Sequence, residues 1–215
     1  MTTGFILLIM IVVAYFSNWL NWKFLNSNIT RYLYYIGTLV HESSHALVAI
    51  VLGSRIHEFK IFSEQPHVVY GKPKIPLIGN MLISLAPLFG GLAFLYLVNS
   101  YVLHSQYLIH SVALENIFGA ILDTLSQINL LHWQTWVLIL LFINVGAMLS
   151  PSYQDIKNMW PVLIVFLFFN IAPLSDILII ALQLILVGIV IQVGVIILVK
   201  FIFSLSKLYR SLRTS

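Results

Sequence analysis

His41-Glu42-Ser43-Ser44-His45 brings together residue types that can do chemistry, at a spacing that lets them do it together. On a helix, residues four apart share a face, so two imidazoles placed this way converge on one point and can hold one Zn²⁺. Glu42 follows the first His directly. It would stand beside the metal's open position, where a carboxylate can take a proton from water. The set lies inside a segment otherwise apolar enough to span a membrane. Each ionisable group in hydrocarbon costs about 2.5–3.5 kcal/mol on insertion scales, and such groups mark function by default. Three of them clustered without a metal would be hard to tolerate. The sequence therefore predicts one Zn²⁺ per chain.

Two histidines do not complete a catalytic zinc site, which has three protein ligands and a water. The chain has no cysteine, so thiolate zinc sites, iron–sulfur clusters and disulfides are excluded. Val51 stands six residues after His45, where one zinc-peptidase spacing needs a third His. Glu64, nineteen residues after His45, has a workable spacing but belongs to a polar turn. Asp155 is the stronger candidate. It closes a run that starts at Asn144, and Ser150-Pro151 within that run should break the helix and aim irregular backbone into the bundle. Both carboxylates stay open at this point. Asn144 is polar within an apolar run, and either contacts substrate backbone or makes an interhelical bond.

The elements that must position these groups follow from composition. Of 215 residues, 60% are hydrophobic and 8% charged, against about 25% charged in a soluble domain. The expected fold class is an all-α membrane protein. It has about six transmembrane helices, near residues 4–20, 31–53, 77–98, 133–150, 159–172 and 177–203, with a short membrane-associated β-hairpin and an outer amphipathic helix. The first apolar run lacks a basic n-region and reads as a retained helix. The hairpin is expected within 54–76, near the cytoplasmic membrane surface. The amphipathic helix is expected over 103–132, which carries His104, His110, Glu115 and Asp123 among apolar residues.

With six spans, nine basic residues from Arg55 to Arg213 fall on one side and only Lys23 and Arg31 on the other. That bias predicts a multi-pass protein of the cell membrane with both termini cytoplasmic. The net charge of +4 is thus a topology signal, and no nucleic-acid partner is expected. Residues 1–215 read as a single polytopic membrane domain. Within it lie a catalytic core at about 30–160, C-terminal helices over 159–203 and a basic cytoplasmic tail over 204–215.

On these residues the chain resembles the site-2 protease family of intramembrane zinc metalloproteases. HESSH on the second span matches that family's HExxH. Leu85-Ala86-Pro87-Leu88-Phe89-Gly90-Gly91 is similar to its small-residue Ala-Gly-Pro segment, which packs against the zinc helix. The run from Asn144 to Asp155 resembles the family's Asn-Pro-Asp-Gly-type motif, with Ile156 where the family has Gly. The β-rich loop has a counterpart that holds substrate as an added strand. The resemblance covers about residues 30–160. It implies a zinc endopeptidase that cuts transmembrane segments near the cytoplasmic side, with His41, His45 and Asp155 on the metal and Glu42 as the proton carrier. Its partners would be a transmembrane protein substrate and the lipid bilayer. Two rival readings are an inactive membrane scaffold of the same fold and a zinc transporter. Transporters tend to show paired ligand sets in repeated halves, and this chain has one set.

Overall fold

The computed structural model describes residues 2–24, 32, 34–63, 66–102, 116–126 and 128–213. Among them the chain is mostly helical. The order is α1 (Thr3–Phe24), α2 (Tyr35–Val51), β1 (Ile56–Lys60), β2 (His67–Tyr70), α3 (Pro76–Tyr101), α4 (Ile117–Ser126), α5 (Trp133–Leu149), α6 (Tyr153–Phe168) and α7 (Ala172–Arg213). The last helix continues through the stretch expected to be a separate tail. Two stretches, Pro76–Tyr101 and Ala172–Leu198, are each long and apolar enough to cross a membrane alone.

One face of α1 is buried: Ile6, Met10, Ala14 and Ser17 recur at helical spacing. Ile6, Met10 and Ala14 join Leu178, Ala181 and Ile185 of α7 in the main core, with Phe142 and Met148 of α5. The outside is apolar as well. Val12 is 66% exposed, Tyr96 68% and Phe201 60%, a surface suited to lipid rather than water. Polar ties cross the interior. The Ser17 hydroxyl donates to Gln192 Oε1 at 2.9 Å, and Gln192 Nε2 donates to the Ile143 carbonyl at 3.2 Å.

These ties fix the direction of the helices. At the start of α1, Thr3 Oγ1 accepts from the Ile171 N–H at 2.8 Å. Further along, Ser17 meets Gln192, Leu20 packs with Ile196, and Lys200 Nζ lies 4.3 Å from the centre of the Phe24 ring. Helices α1 and α7 are therefore parallel and in register. A first and a sixth alternating span would be antiparallel, so six alternating spans are not confirmed. Lys23 and Lys200, assigned by the charge count to opposite faces, flank the same Phe24 ring.

Between α5 and α6, Ser150 and Asp155 turn into the bundle, 5% and 4% exposed, while Tyr153 stays 80% exposed. Only residues 150–152 separate the two helices.

The expected hairpin is present. Strands β1 and β2 are antiparallel, pairing Ile56 with Tyr70 and Lys60 with His67, with a register shift between Ile56 and Glu58. Its lysine and histidine hold Glu58 as an ion: Lys60 Nζ lies 2.5 Å and His67 Nε2 3.3 Å from the carboxylate, which lowers its pKa, Lys60 contributing most. The hairpin is anchored to the helix before it. Phe62 in its turn stacks on Tyr35 at the start of α2, ring centres 4.3 Å apart, so it runs back beside the helix it follows. Gly53 makes that reversal possible, ending α2 with a left-handed φ of 77°. Within the expected outer helix, only Ile117–Ser126 is helical among the described residues, and Ile121 sits in the core. His104, His110, Glu115 and Glu64 lie outside the described residues.

Candidate metal centre

Helix α2 carries His41, Ser44 and His45 on its buried face. Two things set its position. Its third N–H, at Gly37, has no partner within the helix. The side chain of Asn144 in α5 supplies one, with Oδ1 accepting at 2.8 Å, while Asn144 Nδ2 donates to its own Leu140 carbonyl at 2.8 Å. Of the two roles open to Asn144, the geometry is that of the interhelical bond, and a substrate contact would have to displace it. The second constraint is Gly90 of α3, where an added Cβ would overlap the Ser44 hydroxyl. The small residues of the Ala86-Pro87…Gly90-Gly91 segment thus let α3 close onto the HESSH helix.

Asp155 arrives from α6. It stands in the first turn of that helix, not in irregular backbone, and a reciprocal cap fixes it: Asp155 N–H donates to Ser152 Oγ at 3.1 Å, and Ser152 N–H donates to Asp155 Oδ2 at 2.8 Å. The run from Ser150 ends α5 and leaves Ser152 extended, with ψ 167°, so the carboxylate turns back toward α2.

The structure brings His41, His45 and Asp155 together, all buried, with their ligating atoms within 4.8 Å of one another. The two Nε2 atoms are 3.2 Å apart. Asp155 Oδ1 is 3.4 Å from His45 Nε2, and Oδ2 is 3.8 Å from His41 Nε2. Each ring is oriented from behind. His45 Nδ1–H donates to the Ile83 carbonyl at 2.7 Å and His41 Nδ1–H to the Met148 carbonyl at 3.3 Å. Carbonyls only accept, so Nδ1 carries the proton and a neutral ring turns a bare lone pair on Nε2 inward. Both Nε2 atoms and the Asp155 carboxylate then face one another in a buried space.

That arrangement fits a divalent cation. Zinc bonds of about 2.0–2.2 Å at tetrahedral angles separate ligand atoms by roughly 3.3–3.5 Å, close to the spacing found. The set is two imidazoles and a carboxylate, with outer hydrogen bonds of the kind metal-bound His require. Glu42, next along the helix, is half-buried, and among the described residues its carboxylate has no hydrogen bond or ion pair. Ile83 and Met148 were not found from sequence, since they act through backbone carbonyls that any residue type would supply.

The chain is mostly helical, and its HExxH pair faces a buried carboxylate. A family model described as Peptidase M50B-like matches residues 6–114, half of the chain. The protein belongs to this family, which is a site-2 protease family. The match takes in α1, the HESSH helix, the hairpin and α3; Asp155 lies beyond it. Neither a curated protein nor a solved structure matches the chain.

Proposed function

We propose that the protein is an intramembrane zinc metallopeptidase that hydrolyses peptide bonds within transmembrane segments of other membrane proteins. One observation carries this reading. The ligating atoms of His41, His45 and Asp155 converge within 4.8 Å in an M50B-like chain, with Glu42 on the same HExxH helix. His41 and His45 would hold one Zn²⁺ through Nε2, and Asp155 would hold it through its carboxylate. When bound, the ion supplies the Lewis acidity that polarises the scissile carbonyl and acidifies water.

Glu42 takes the proton from the attacking water and later gives it to the leaving amine. Ser152 N–H keeps the Asp155 carboxylate from rotating away. A substrate helix hides its backbone in its own hydrogen bonds, so it must unwind locally. An edge of the β1–β2 hairpin, folded back along α2, can pair with the unwound stretch. The chain works as one membrane domain, with the catalytic core at about 30–160 and lipid around its apolar outer faces.

The test uses the full chain in lipid vesicles with a transmembrane model substrate. Glu42→Gln should keep its zinc and lose at least about 100-fold in cleavage rate. Cleavage close to wild type by this variant would refute the mechanism. A wild type that moves Zn²⁺ across the vesicle wall and cuts nothing would identify the transporter instead.

A further inference from the structure

The carbonyls that hold the two imidazoles are ones their own helices leave without a donor. In an α-helix the carbonyl of residue i accepts from the N–H of residue i+4. For Ile83 that residue is Pro87, which has no N–H. The Ile83 carbonyl is therefore left open in the middle of α3, and His45 Nδ1–H fills it at 2.7 Å. For Met148 the corresponding donor is Ser152 N–H, which is turned instead to Asp155 Oδ2 at 2.8 Å. Pro151 causes that diversion. It holds Ser150 in extended backbone with ψ 117° and stops α5 one residue earlier. The Met148 carbonyl then receives His41 Nδ1–H at 3.3 Å.

We propose that Pro87 and Pro151 are positioning residues of the metal centre: each frees one backbone carbonyl, and those carbonyls fix the tautomer and orientation of His45 and His41. This rests on the zinc reading above. Neither proline touches metal or substrate. Their effect passes through a carbonyl to an imidazole.

The sharper test is Pro87→Ala. The variant restores an N–H that competes with His45 for the Ile83 carbonyl, and it also removes a helix breaker. Two quantities should then move in opposite directions. The metal-free chain in detergent should unfold no more readily than wild type. Its affinity for Zn²⁺, and for Co²⁺ by chelator competition, should fall about 10–100-fold, the usual effect of removing an outer-shell partner. Pro161→Ala serves as control, because it frees a carbonyl in α6 that no imidazole uses, and its metal affinity should match wild type. Unchanged Zn²⁺ affinity in Pro87→Ala would overturn the proposal while leaving the zinc reading intact. A wild-type chain that binds no Zn²⁺ would overturn the zinc reading and this inference with it.

A measurement on wild type alone guards against a variant that does not fold. ¹⁵N-histidine spectra of the Zn²⁺-loaded chain should show two rings ligated through Nε2 with hydrogen-bonded Nδ1–H. Ligation through Nδ1 in either ring would overturn the assignment.

Discussion

Asp155 does two jobs that different substitutions separate. Its carboxylate accepts the Ser152 N–H at 2.8 Å and also stands 3.4 Å from His45 Nε2. Asp155→Asn keeps a carbonyl oxygen for Ser152 but removes the anionic ligand. Asp155→Ala removes both. With free Zn²⁺ at a hundred times its dissociation constant, binding stabilises the folded wild type by about 2.7 kcal/mol. A site a hundredfold weaker at the same zinc concentration retains about 0.4 kcal/mol, so Asp155→Asn should lose nearly all of the zinc-dependent gain. In chelator it should be as stable as wild type. Asp155→Ala should lose the same gain and, in chelator, a further ~1 kcal/mol from the missing cap. Unfolding midpoints of the three chains in detergent, each with zinc and with chelator, give all the required differences. Zinc raising the midpoint of Asp155→Asn as much as that of wild type would remove Asp155 from the ligand set. If Glu64→Ala loses the zinc response instead, the third ligand comes from the hairpin turn.

Two more outcomes follow from the packing. Asn144→Ala leaves the Gly37 N–H buried without an acceptor, which should cost about 1–2 kcal/mol of stability with zinc stoichiometry unchanged; a large fall in cleavage with no loss of stability would instead mark Asn144 as a substrate contact. The parallel α1 and α7 place the chain's ends at opposite ends of the bundle, so single cysteines at Thr2 and Ser211 of this cysteine-free chain should react with an impermeant maleimide from opposite membrane sides, and labelling of both from one side would refute the arrangement.

The HESSH helix, the hairpin and the approach of Asp155 were legible because each rests on a local signal. Spacing of four, alternation around a polar turn, and a Ser-Pro break after an apolar run all work within a few residues. Helix direction does not. Hydropathy reports that 133–150 and 159–172 are apolar, but it is silent on whether the chain reverses between them at a membrane face or passes on through the interior. The charge count rested on that choice, and it assigned Lys200 away from Lys23 although both lie against Phe24. Asn144 shows a related limit. Its polarity within an apolar run was visible, but its partner, the Gly37 N–H, is a backbone group far away in sequence.

The two prolines also bear on why the site is stable in an apolar bundle. A proline inside a helix costs about 3 kcal/mol or more, partly because it strands a carbonyl. Within a bilayer, each stranded backbone group costs several kcal/mol unless something donates to it. At Ile83 and Met148 the donors are His45 and His41, so the imidazoles relieve the helix breaks as much as the breaks orient the imidazoles. Replacing His45 with Ala would remove a metal ligand and also leave the Ile83 carbonyl without its donor. Replacing Pro87 would give that carbonyl a helix donor and leave His45 to turn. The HESSH helix and the two proline breaks thus form one hydrogen-bond account that balances only when all are present.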